Sequence, residues 1–414
     1  MTIGGSAAGW EGRYARRAQR MVGSEIRELL KLLDRPNIIS FAGGIPDPAL
    51  FPVGEVAAAY QRVLSDPAAA GASLQYSVSE GYLPLRQWIV GYMARLGVAC
   101  ETDNVIITCG SQQALEFLAR LLLSPGDTAL VTMPTYLGAL QAFAAYEPRY
   151  DELRPEHGNR TPQSYRTAAA AAGGAVKFAY VVPDFANPTG ETLSQSARLR
   201  LLDLAAELDM AILEDSAYSA LNFEAAPVPA ILALDLARCG SIEAVRTIYC
   251  GTFSKTLSPG LRVGWIVGPR PLIRRLVLIK QASDLNSATV NQMVMHHLAE
   301  TVFDRQVAAA RSHYRRRRDA MLAALARHMP SGCQWSEPQG GLFVWLRLPA
   351  GRDAGQLLPQ AVADAGVAFV PGAAFYFDRS GHNTLRLSYS LATEADIDAG
   401  IARLAALIAG ERPS

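Results

Sequence analysis

The chain has 414 residues, of which 50% are apolar and 19% are charged. This length is enough for a large core, arranged as two domains or as one long domain with an appendage. The 39 basic and 38 acidic residues leave a formal net charge of +1, which argues against nucleic-acid binding because such surfaces need a marked basic excess. No apolar run approaches the roughly 18 residues that a membrane-spanning helix needs.

The cysteines and the N-terminus indicate the compartment. Five cysteines are scattered without a CxxC or Cys/His metal spacing, a pattern typical of free buried thiols in a reducing compartment and not of a metal site. The Arg-rich start, MTIGGSAAGWEGRYARRAQR, could be a targeting segment. It leads without a break into SEIRELLKLL, a predicted helix with Ser24 as a candidate N-cap. We therefore expect a cytoplasmic protein.

The middle of the chain alternates helical and strand patterns. After a loop marked by Pro46-Asp47-Pro48, short apolar runs alternate with amphipathic ones, which predicts a parallel or mixed sheet covered by helices on both faces. The predicted helices are EFLARLLL and SARLRLLDLAAELD, and the predicted strands are DTALVTMP, AVKFAYVVP, MAILED, VRTIYCGTF and VGWIVG.

The C-terminal part has a different pattern. A long helical region is predicted from about Ala288 to His328, and its four arginines, 315–318, are expected to form a solvated face or an intersubunit contact. Strands GGLFVWLRLP, VAFVPG and TLRLSYS follow, with helices near 355–365 and 394–409, which predicts a smaller α+β domain. The predicted units are an N-terminal arm that packs with this small domain (1–53), a large α/β domain (54–290), and a connecting helix with the small domain (291–414).

Lys255 is a lone amine at the end of the predicted strand VRTIYCGTF. A lysine at a buried strand end is costly unless it is paired, deprotonated or used covalently, and the structural alternative is a buried stem whose ammonium reaches water. Arg262 follows a Ser-Pro-Gly turn seven residues later, and Thr252 and Ser254 add hydroxyl groups. This combination indicates a phosphorylated ligand that the lysine also engages.

Three other stretches place polar residues at strand ends. TCGSQQALEF puts Gly110, Ser111 and Gln112 at the start of a predicted helix, where free backbone N–H groups and the helix dipole favour phosphate. Asp215 ends the strand of ILEDSAY, and Asn187 follows a strand in PDFANPTGET. Open α/β sheets bind ligands at such carboxyl ends of their strands.

ANPTG, EDSAY and SKTLSPGLRVGW, in this order, resemble the signature blocks of class I/II aminotransferases of the pyridoxal-phosphate fold-type-I superfamily. The spacings of 28 residues from Asn187 to Asp215 and of 40 from Asp215 to Lys255 fit that pattern. From about Ser24 onward, FAGGIPDPALFP, LQYSVSEGYLPLR, TCGSQQAL, MPTY, FVPGAAF and NTLRLSYS resemble the subgroup of α-aminoadipate, kynurenine and related broad-specificity aminotransferases.

The resemblance implies a fold, an activity and a cofactor. The fold is a large domain with a mostly parallel seven-stranded sheet between helices, plus a smaller α+β domain. The activity is ping-pong transfer of an amino group between an L-amino acid and a 2-oxo acid. The cofactor is pyridoxal 5′-phosphate, and the assembly is a homodimer with active sites at the interface, without nucleic-acid or membrane partners.

The resemblance also implies roles around the cofactor. Lys255 would bind the cofactor aldehyde covalently and move the proton between substrate Cα and cofactor C4′. Asp215 would pair with the ring nitrogen, and Asn187 and Tyr218 would hydrogen-bond the ring O3′. Tyr136 would stack over the ring; the alternative is an ordinary core tyrosine without a role in binding. The implied phosphate ligands are Ser111, Gln112, Thr252, Ser254 and Arg262, with Tyr76 reaching the phosphate across the dimer interface.

Substrate binding is implied for a second set of residues. Arg386, in TLRLS, would bind the substrate α-carboxylate through two parallel hydrogen bonds from its guanidinium group. The alternative is an arginine on the exposed face of an alternating strand. Asn187 would also face the substrate, and Gly44 would leave it room. Arg27 would contact the distal part of the substrate; the alternative is a solvated helix residue that pairs with a glutamate.

Three positions depart from the subgroup pattern and leave the substrate open: Ala186, Asn222 and Asn286. Two alternatives to transamination also remain. One keeps the cofactor but ends in elimination, replacement, decarboxylation or carbon–carbon bond formation. The other is a ligand-sensing module fused to a DNA-binding domain, against which stand the neutral charge and the start of the chain almost directly at the SEIRE helix.

Overall fold

The computed structural model describes residues 10–15, 17–18, 23, 38–224 and 227–410. The predicted helix at Ser24, and Arg27 within it, lie outside these residues. In the described part, thirteen strands form three sheets of seven, four and two strands. The strands are β1 (Ile39–Ser40), β2 (Val105–Thr108), β3 (Thr128–Thr132), β4 (Arg149–Leu153), β5 (Val176–Val181), β6 (Ala211–Asp215), β7 (Thr247–Thr252), β8 (Gly264–Val267), β9 (Gln334–Trp335), β10 (Phe343–Arg347), β11 (Val367–Ala368), β12 (Val370–Pro371) and β13 (Thr384–Ser388).

The seven-stranded sheet has the order β2-β8-β7-β6-β5-β3-β4, and only β8 runs antiparallel to its neighbours. Its central strands are short, mainly apolar runs; β7 is buried along its whole length, and β5 and β6 are buried at all but one position each. Such runs suit a sheet that is covered on both faces. This confirms the predicted α/β architecture with a mostly parallel seven-stranded sheet.

Helices account for most of the remaining described chain. Several begin at the side-chain caps that their sequences favour: Thr161, Ser194 and Thr393 each accept a hydrogen bond from the backbone N–H three residues on. The described helices are α1 (Val53–Ser65), α2 (Pro67–Leu74), α3 (Leu83–Arg95), α4 (Ser111–Leu122), α5 (Leu137–Ala144), α6 (Pro162–Ala171), α7 (Gln195–Leu208), α8 (Ile231–Cys239), α9 (Arg270–Gln281), α10 (Thr289–Thr301), α11 (Phe303–His328), α12 (Ala354–Ala363) and α13 (Glu394–Ala409).

The four-stranded antiparallel sheet, β12-β13-β10-β9, packs with α11, α12 and α13 around a core of its own. Phe41 belongs to this core, and β1 pairs in parallel with β11, so the chain just before α1 packs with the C-terminal part. The predicted strands and helices beyond Pro330 are confirmed. The domain limits 1–53, 54–290 and 291–414 stay a prediction.

The long helical region differs from its prediction in two ways. It is split into α10 and α11 at Val302, whose φ of −128° and ψ of −10° leave the helical range while its buried side chain packs in the core. The four arginines are not one solvated face. Arg318 is buried and donates to Pro338 O at 2.7 Å and to Glu224 at 2.8 Å, and Arg317 pairs with Asp47 at 2.8 Å. Successive helical residues point in different directions, so only Arg315 and Arg316 remain largely exposed.

Among the residues that the structure describes, no helix is both long and apolar enough to cross a lipid bilayer. The five cysteines are free, as expected, but only Cys250 is fully buried, and Cys239 is exposed.

Candidate functional site

A cavity of about 1050 Å³ lies at the carboxyl ends of the central strands. The strands β6 and β7 end at Asp215 and Thr252, and β5 leads into the loop that carries Asn187. Because parallel strands end at one edge of the sheet, distant sequence blocks meet there. Twelve of the fourteen residues predicted for the site line this cavity: Gly44, Ser111, Gln112, Tyr136, Asn187, Asp215, Tyr218, Thr252, Ser254, Lys255, Arg262 and Arg386.

Lys255 points its amine into the cavity. Its Nζ donates to Gly44 O at 2.9 Å and lies 5.7 Å from the centre of the Tyr218 ring. Burial, together with the positive charges of Arg386 and Arg262, lowers the pKa of Lys255 to about 8, while Asp215 acts in the opposite direction. An amine with such a pKa loses its proton easily near neutral pH, so it can act as a nucleophile or a base.

Asp215 is a buried carboxylate with one unpaired oxygen. Tyr180 donates to its Oδ2 at 2.8 Å, whereas Oδ1 is buried without a hydrogen-bond partner. Burial raises the pKa of Asp215 to about 6, and the bond from Tyr180 and the charge of Lys255 oppose this shift. A buried acceptor without a donor is costly, so this oxygen suits a ligand that presents a cationic N–H group.

The opposite end of the site is built to receive an anion. Helix α4 begins at Ser111 after Gly110, whose φ is +75°, and a Cβ at Gly110 would overlap the Arg262 guanidinium. Arg262 Nη2 donates to Cys109 O at 3.1 Å, and Thr252 Oγ1 donates to Ser254 Oγ at 2.9 Å. A helix N-terminus, a guanidinium and hydroxyl groups together favour phosphate.

Arg386 lies on β13 and is buried between two aromatic rings. Its guanidinium carbon is 4.3 Å from the Phe343 ring centre and 5.1 Å from that of Phe375. Nη1 donates to Asn187 Oδ1 at 2.7 Å, Nη2 donates to Ala42 O at 2.6 Å, and Nε has no partner. Burial lowers the pKa of Arg386 to about 10. The side chain is a fixed, desolvated cation, not the exposed-face residue of the alternative.

Tyr136 and Tyr218 form the sides of the cavity. Tyr136 donates to Gln112 Oε1 at 3.4 Å, and Gln112 Nε2 donates to Gly138 O at 2.6 Å. Burial is the main cause that holds the pKa of Tyr218 above its ordinary range. Its hydroxyl group therefore stays protonated and can donate a hydrogen bond.

Sequence reasoning missed Tyr180, the hydrogen-bond donor to Asp215. It lies within β5, in the run AVKFAYVVP, where a tyrosine fits a buried strand without any functional role. The only signal was that β5 and β6 would be neighbours and would bring residues near their ends together. The register pairs Tyr180 with Leu213.

Four described residues of interest do not line the cavity. Tyr76 is 79% exposed and does not line the cavity of its own chain, and Arg27 is outside the described residues. The three positions that depart from the subgroup pattern, Ala186, Asn222 and Asn286, are not among the lining residues. Asn222 forms a bridge with Gly340, and Asn286 donates to Ser287 O at 3.0 Å, while Ala186 accepts the N–H of Gly190 within its own loop.

Comparison with known proteins identifies the family. The family Aminotransferase class I and II matches residues 36–404. The chain belongs to this family. It is 40% identical, over 97% of its length and 95% of the relative's, to aromatic-amino-acid aminotransferase 1 of Thermococcus litoralis.

Two solved structures extend the comparison. Kynurenine aminotransferase of Pyrococcus horikoshii, in complex with PMP, has a TM-score of 0.88 and 40% identity and covers 97% of this chain and 98% of its own. The α-aminoadipate aminotransferase of Thermus thermophilus, in complex with N-(5′-phosphopyridoxyl)-L-leucine, has a TM-score of 0.86 and 37% identity, with the same coverage. The chain therefore has the fold-type-I architecture and is a pyridoxal-phosphate-dependent aminotransferase of amino acid metabolism.

The residues of the cavity fit pyridoxal phosphate. The unpaired Oδ1 of Asp215 matches a protonated ring nitrogen, Lys255 offers an amine for the aldehyde, and the Gly110–Arg262 end matches the phosphate. These three features lie in one cavity, and each of them matches a different part of the same molecule.

Proposed function

We propose that this aminotransferase uses Lys255 both to hold pyridoxal phosphate covalently and to move the proton at substrate Cα. The observation that carries the proposal is the pairing, in one buried cavity, of an amine whose pKa is lowered to about 8 with a carboxylate whose Oδ1 has no partner. Pyridoxal phosphate supplies an electron sink, which stabilises the electron pair that remains on Cα when its proton is removed. Once the substrate amino group had taken the place of Lys255 on the cofactor, the freed, neutral Lys255 amine would accept the Cα proton and deliver it to the cofactor carbon C4′.

The other cavity residues hold the cofactor in place. Asp215 keeps the ring nitrogen protonated, Asn187 and Tyr218 donate to the ring hydroxyl, and Tyr136 stacks on the ring. The anion cradle binds the phosphate through Ser111, Gln112, Thr252, Ser254 and Arg262. The 2.7 Å bond between Arg386 and Asn187 supports this arrangement, because it links the ring to the substrate carboxylate site.

The substrates are an L-amino acid and a 2-oxo acid that react in turn at the same site. Arg386 binds their α-carboxylate, beside Asn187, and Gly44 leaves the substrate room next to Lys255. The rest of the cavity is lined mostly by apolar and aromatic side chains, including Leu137, Tyr150 and Phe377, together with Gln141 and Arg379. This lining supports aromatic and long side chains, with Arg27 as a candidate contact for a distal carboxylate.

The active unit is a cytoplasmic homodimer. Leu74, Tyr76 and Val78 are between 58% and 79% exposed, and such a cluster of exposed apolar side chains favours burial against another chain. In the dimer, Tyr76 reaches the phosphate of the partner's site. The five free cysteines agree with a reducing compartment.

Purified holoenzyme tests the proposal. We expect an amino donor from a panel with acidic, aromatic and aliphatic side chains to change the cofactor absorbance, and mass spectrometry to find pyridoxamine phosphate and one equivalent of the 2-oxo acid. K255A should bind the cofactor without a covalent link and lose activity, whereas K177A, which removes a half-exposed lysine of an ion pair with Asp127, should not. A product formed without pyridoxamine phosphate and without stoichiometric consumption of a 2-oxo acid acceptor would favour elimination, decarboxylation or another outcome over transamination.

A further inference from the structure

Lys280, on α9, is a fully buried lysine that lies outside the cavity. A buried ammonium is rare unless it is paired and hydrogen-bonded. Its Nζ donates to both carboxylate oxygens of Asp284 at 3.0 Å, to Ser287 Oγ at 2.9 Å and to Gln113 Oε1 at 3.3 Å. Burial lowers the pKa of Lys280, and Asp284 opposes that shift.

Gln113 connects this cluster to the loop before α4. The Oε1 atom that faces Lys280 also accepts the backbone N–H of Cys109 at 2.8 Å, while Nε2 donates to Asp284 Oδ2 at 2.9 Å. Lys280 has only donors and the Asp284 carboxylate has only acceptors. Together they fix which end of the Gln113 amide faces Cys109.

The backbone of Cys109 in turn contacts Arg262, which lines the proposed phosphate end of the cavity. Its carbonyl oxygen accepts the 3.1 Å bond from Arg262, so the backbone of this one residue is held at its N–H by Gln113 and at its C=O, in the next peptide unit, by Arg262. The next residue, Gly110, has no room for a Cβ beside that guanidinium. A small shift of this loop would therefore move both Arg262 and the first N–H groups of α4.

We propose that Lys280 is a positioning residue for the cofactor phosphate: it orients Gln113, which holds the backbone of Cys109 and thereby Arg262 and the N-terminus of α4. This inference rests on the proposed phosphate site. A buried lysine–aspartate pair contributes little net stability compared with apolar side chains of similar size, whereas second-layer contacts that orient ligand-binding groups strongly affect affinity.

Binding of two ligands to the apoenzyme tests the inference. Pyridoxal phosphate and pyridoxal differ only in the phosphate, so the ratio of their dissociation constants isolates the phosphate contribution. In K280M and in Q113L, we expect the affinity for pyridoxal phosphate to fall about 5- to 100-fold, with pyridoxal affinity nearly unchanged. Inorganic phosphate should also compete less well with pyridoxal phosphate in both variants. K177M is the matched control, since it removes a lysine outside the cluster.

A double variant tests the route. If Lys280 acts through Gln113, K280M/Q113L should lose little more affinity than either single variant, because the two changes interrupt the same chain of contacts. Equal losses for both ligands, or an unchanged ratio in K280M, would overturn the inference. If K280M does not fold, as judged by circular dichroism, Q113L alone decides between these outcomes.

R262M separates the two levels of the argument. R262M could lower the affinity for pyridoxal phosphate but not for pyridoxal, while K280M and Q113L leave both affinities unchanged. In that case the proposed phosphate site stands and only the role of Lys280 fails. If R262M also leaves the ratio unchanged, the proposed phosphate site itself is wrong.

Discussion

Tyr180 donates a hydrogen bond to Oδ2 of Asp215 at 2.8 Å, and Oδ1 of this cavity-lining residue is buried without a hydrogen-bond partner. The contact joins two neighbouring strands, β5 and β6, at the edge of the sheet where the cavity lies. It both orients the carboxylate and moderates the rise in its pKa that burial causes.

The first prediction concerns the pH dependence of cofactor binding. The pKa of Asp215 is raised to about 6 in the cofactor-free protein, so the affinity of apoenzyme for pyridoxal phosphate should fall as the pH drops through about 6 and the carboxyl group gains a proton. In Y180F the lost donor should raise the pKa and move this midpoint up by about one pH unit. Titration of cofactor absorbance at several pH values measures it.

A matched control exists for Y180F. Tyr165 is also buried, and its hydroxyl donates to Glu152 O at 2.8 Å, so Y165F removes a comparable bond away from the cavity and should not move the midpoint. Because the folded state holds the Asp215 proton more tightly than its ordinary pKa of 3.8 implies, this group also makes the apoenzyme less stable as the pH rises from about 4 to about 6. D215N should remove that part of the pH dependence.

The second prediction concerns the substrate carboxylate. R386K keeps the charge but loses the fork that reaches Asn187 and Ala42, so we expect KM for the amino acid to rise about 10- to 100-fold with a smaller change in kcat. R347K, an exposed arginine on the adjacent strand β10, is the control. R386M should in addition raise the pKa of Lys255, because Arg386 lowers it. A lower kcat in R386K at an unchanged KM would contradict the assignment.

The third prediction concerns Gly44, whose carbonyl oxygen accepts a hydrogen bond from the Lys255 amine. A Cβ there would lie 2.5 Å from Cζ of Phe343, the ring that packs on Arg386. We expect G44A to lower kcat/KM about tenfold or more, since overpacking displaces groups that must be held closely. G54A, where a Cβ meets nothing within 4 Å, should leave the rate unchanged. If G44A is as active as G54A, the close packing has no catalytic importance.

The fourth prediction concerns the sharing of active sites between subunits. K255A and Y76A homodimers should both be impaired, for different reasons. After the two variants are mixed and allowed to exchange subunits, a heterodimer has one site with both changes and one site with neither, so activity should return. Steady-state rates before and after mixing measure this. No recovery, despite exchange shown by mass spectrometry of the intact dimer, would mean that Tyr76 serves its own chain or no site.

The sequence was informative wherever a function depends on contiguous residues. Asn187, Asp215 and Lys255 each follow a short apolar strand, and parallel strands bring their carboxyl ends to one edge, so their meeting in one cavity could be predicted. The helix start at Ser111 and its glycine could be predicted for the same local reason. The resemblance of ordered blocks added the family, the cofactor and Arg386.

The tertiary structure alone decided which side chains touch across the chain. The contact of Lys255 with Gly44 spans 211 positions and that of Arg386 with Asn187 spans 199, and both depend on how the segment after β1 and the four-stranded sheet pack beside the seven-stranded sheet. Tyr180 and Lys280 gave no local signal, because a buried tyrosine or a helical lysine is compatible with many environments. The break at Val302 and the burial of Arg318 were missed for a related reason: helical periodicity is short-range, whereas packing and burial are set by residues distant in the chain.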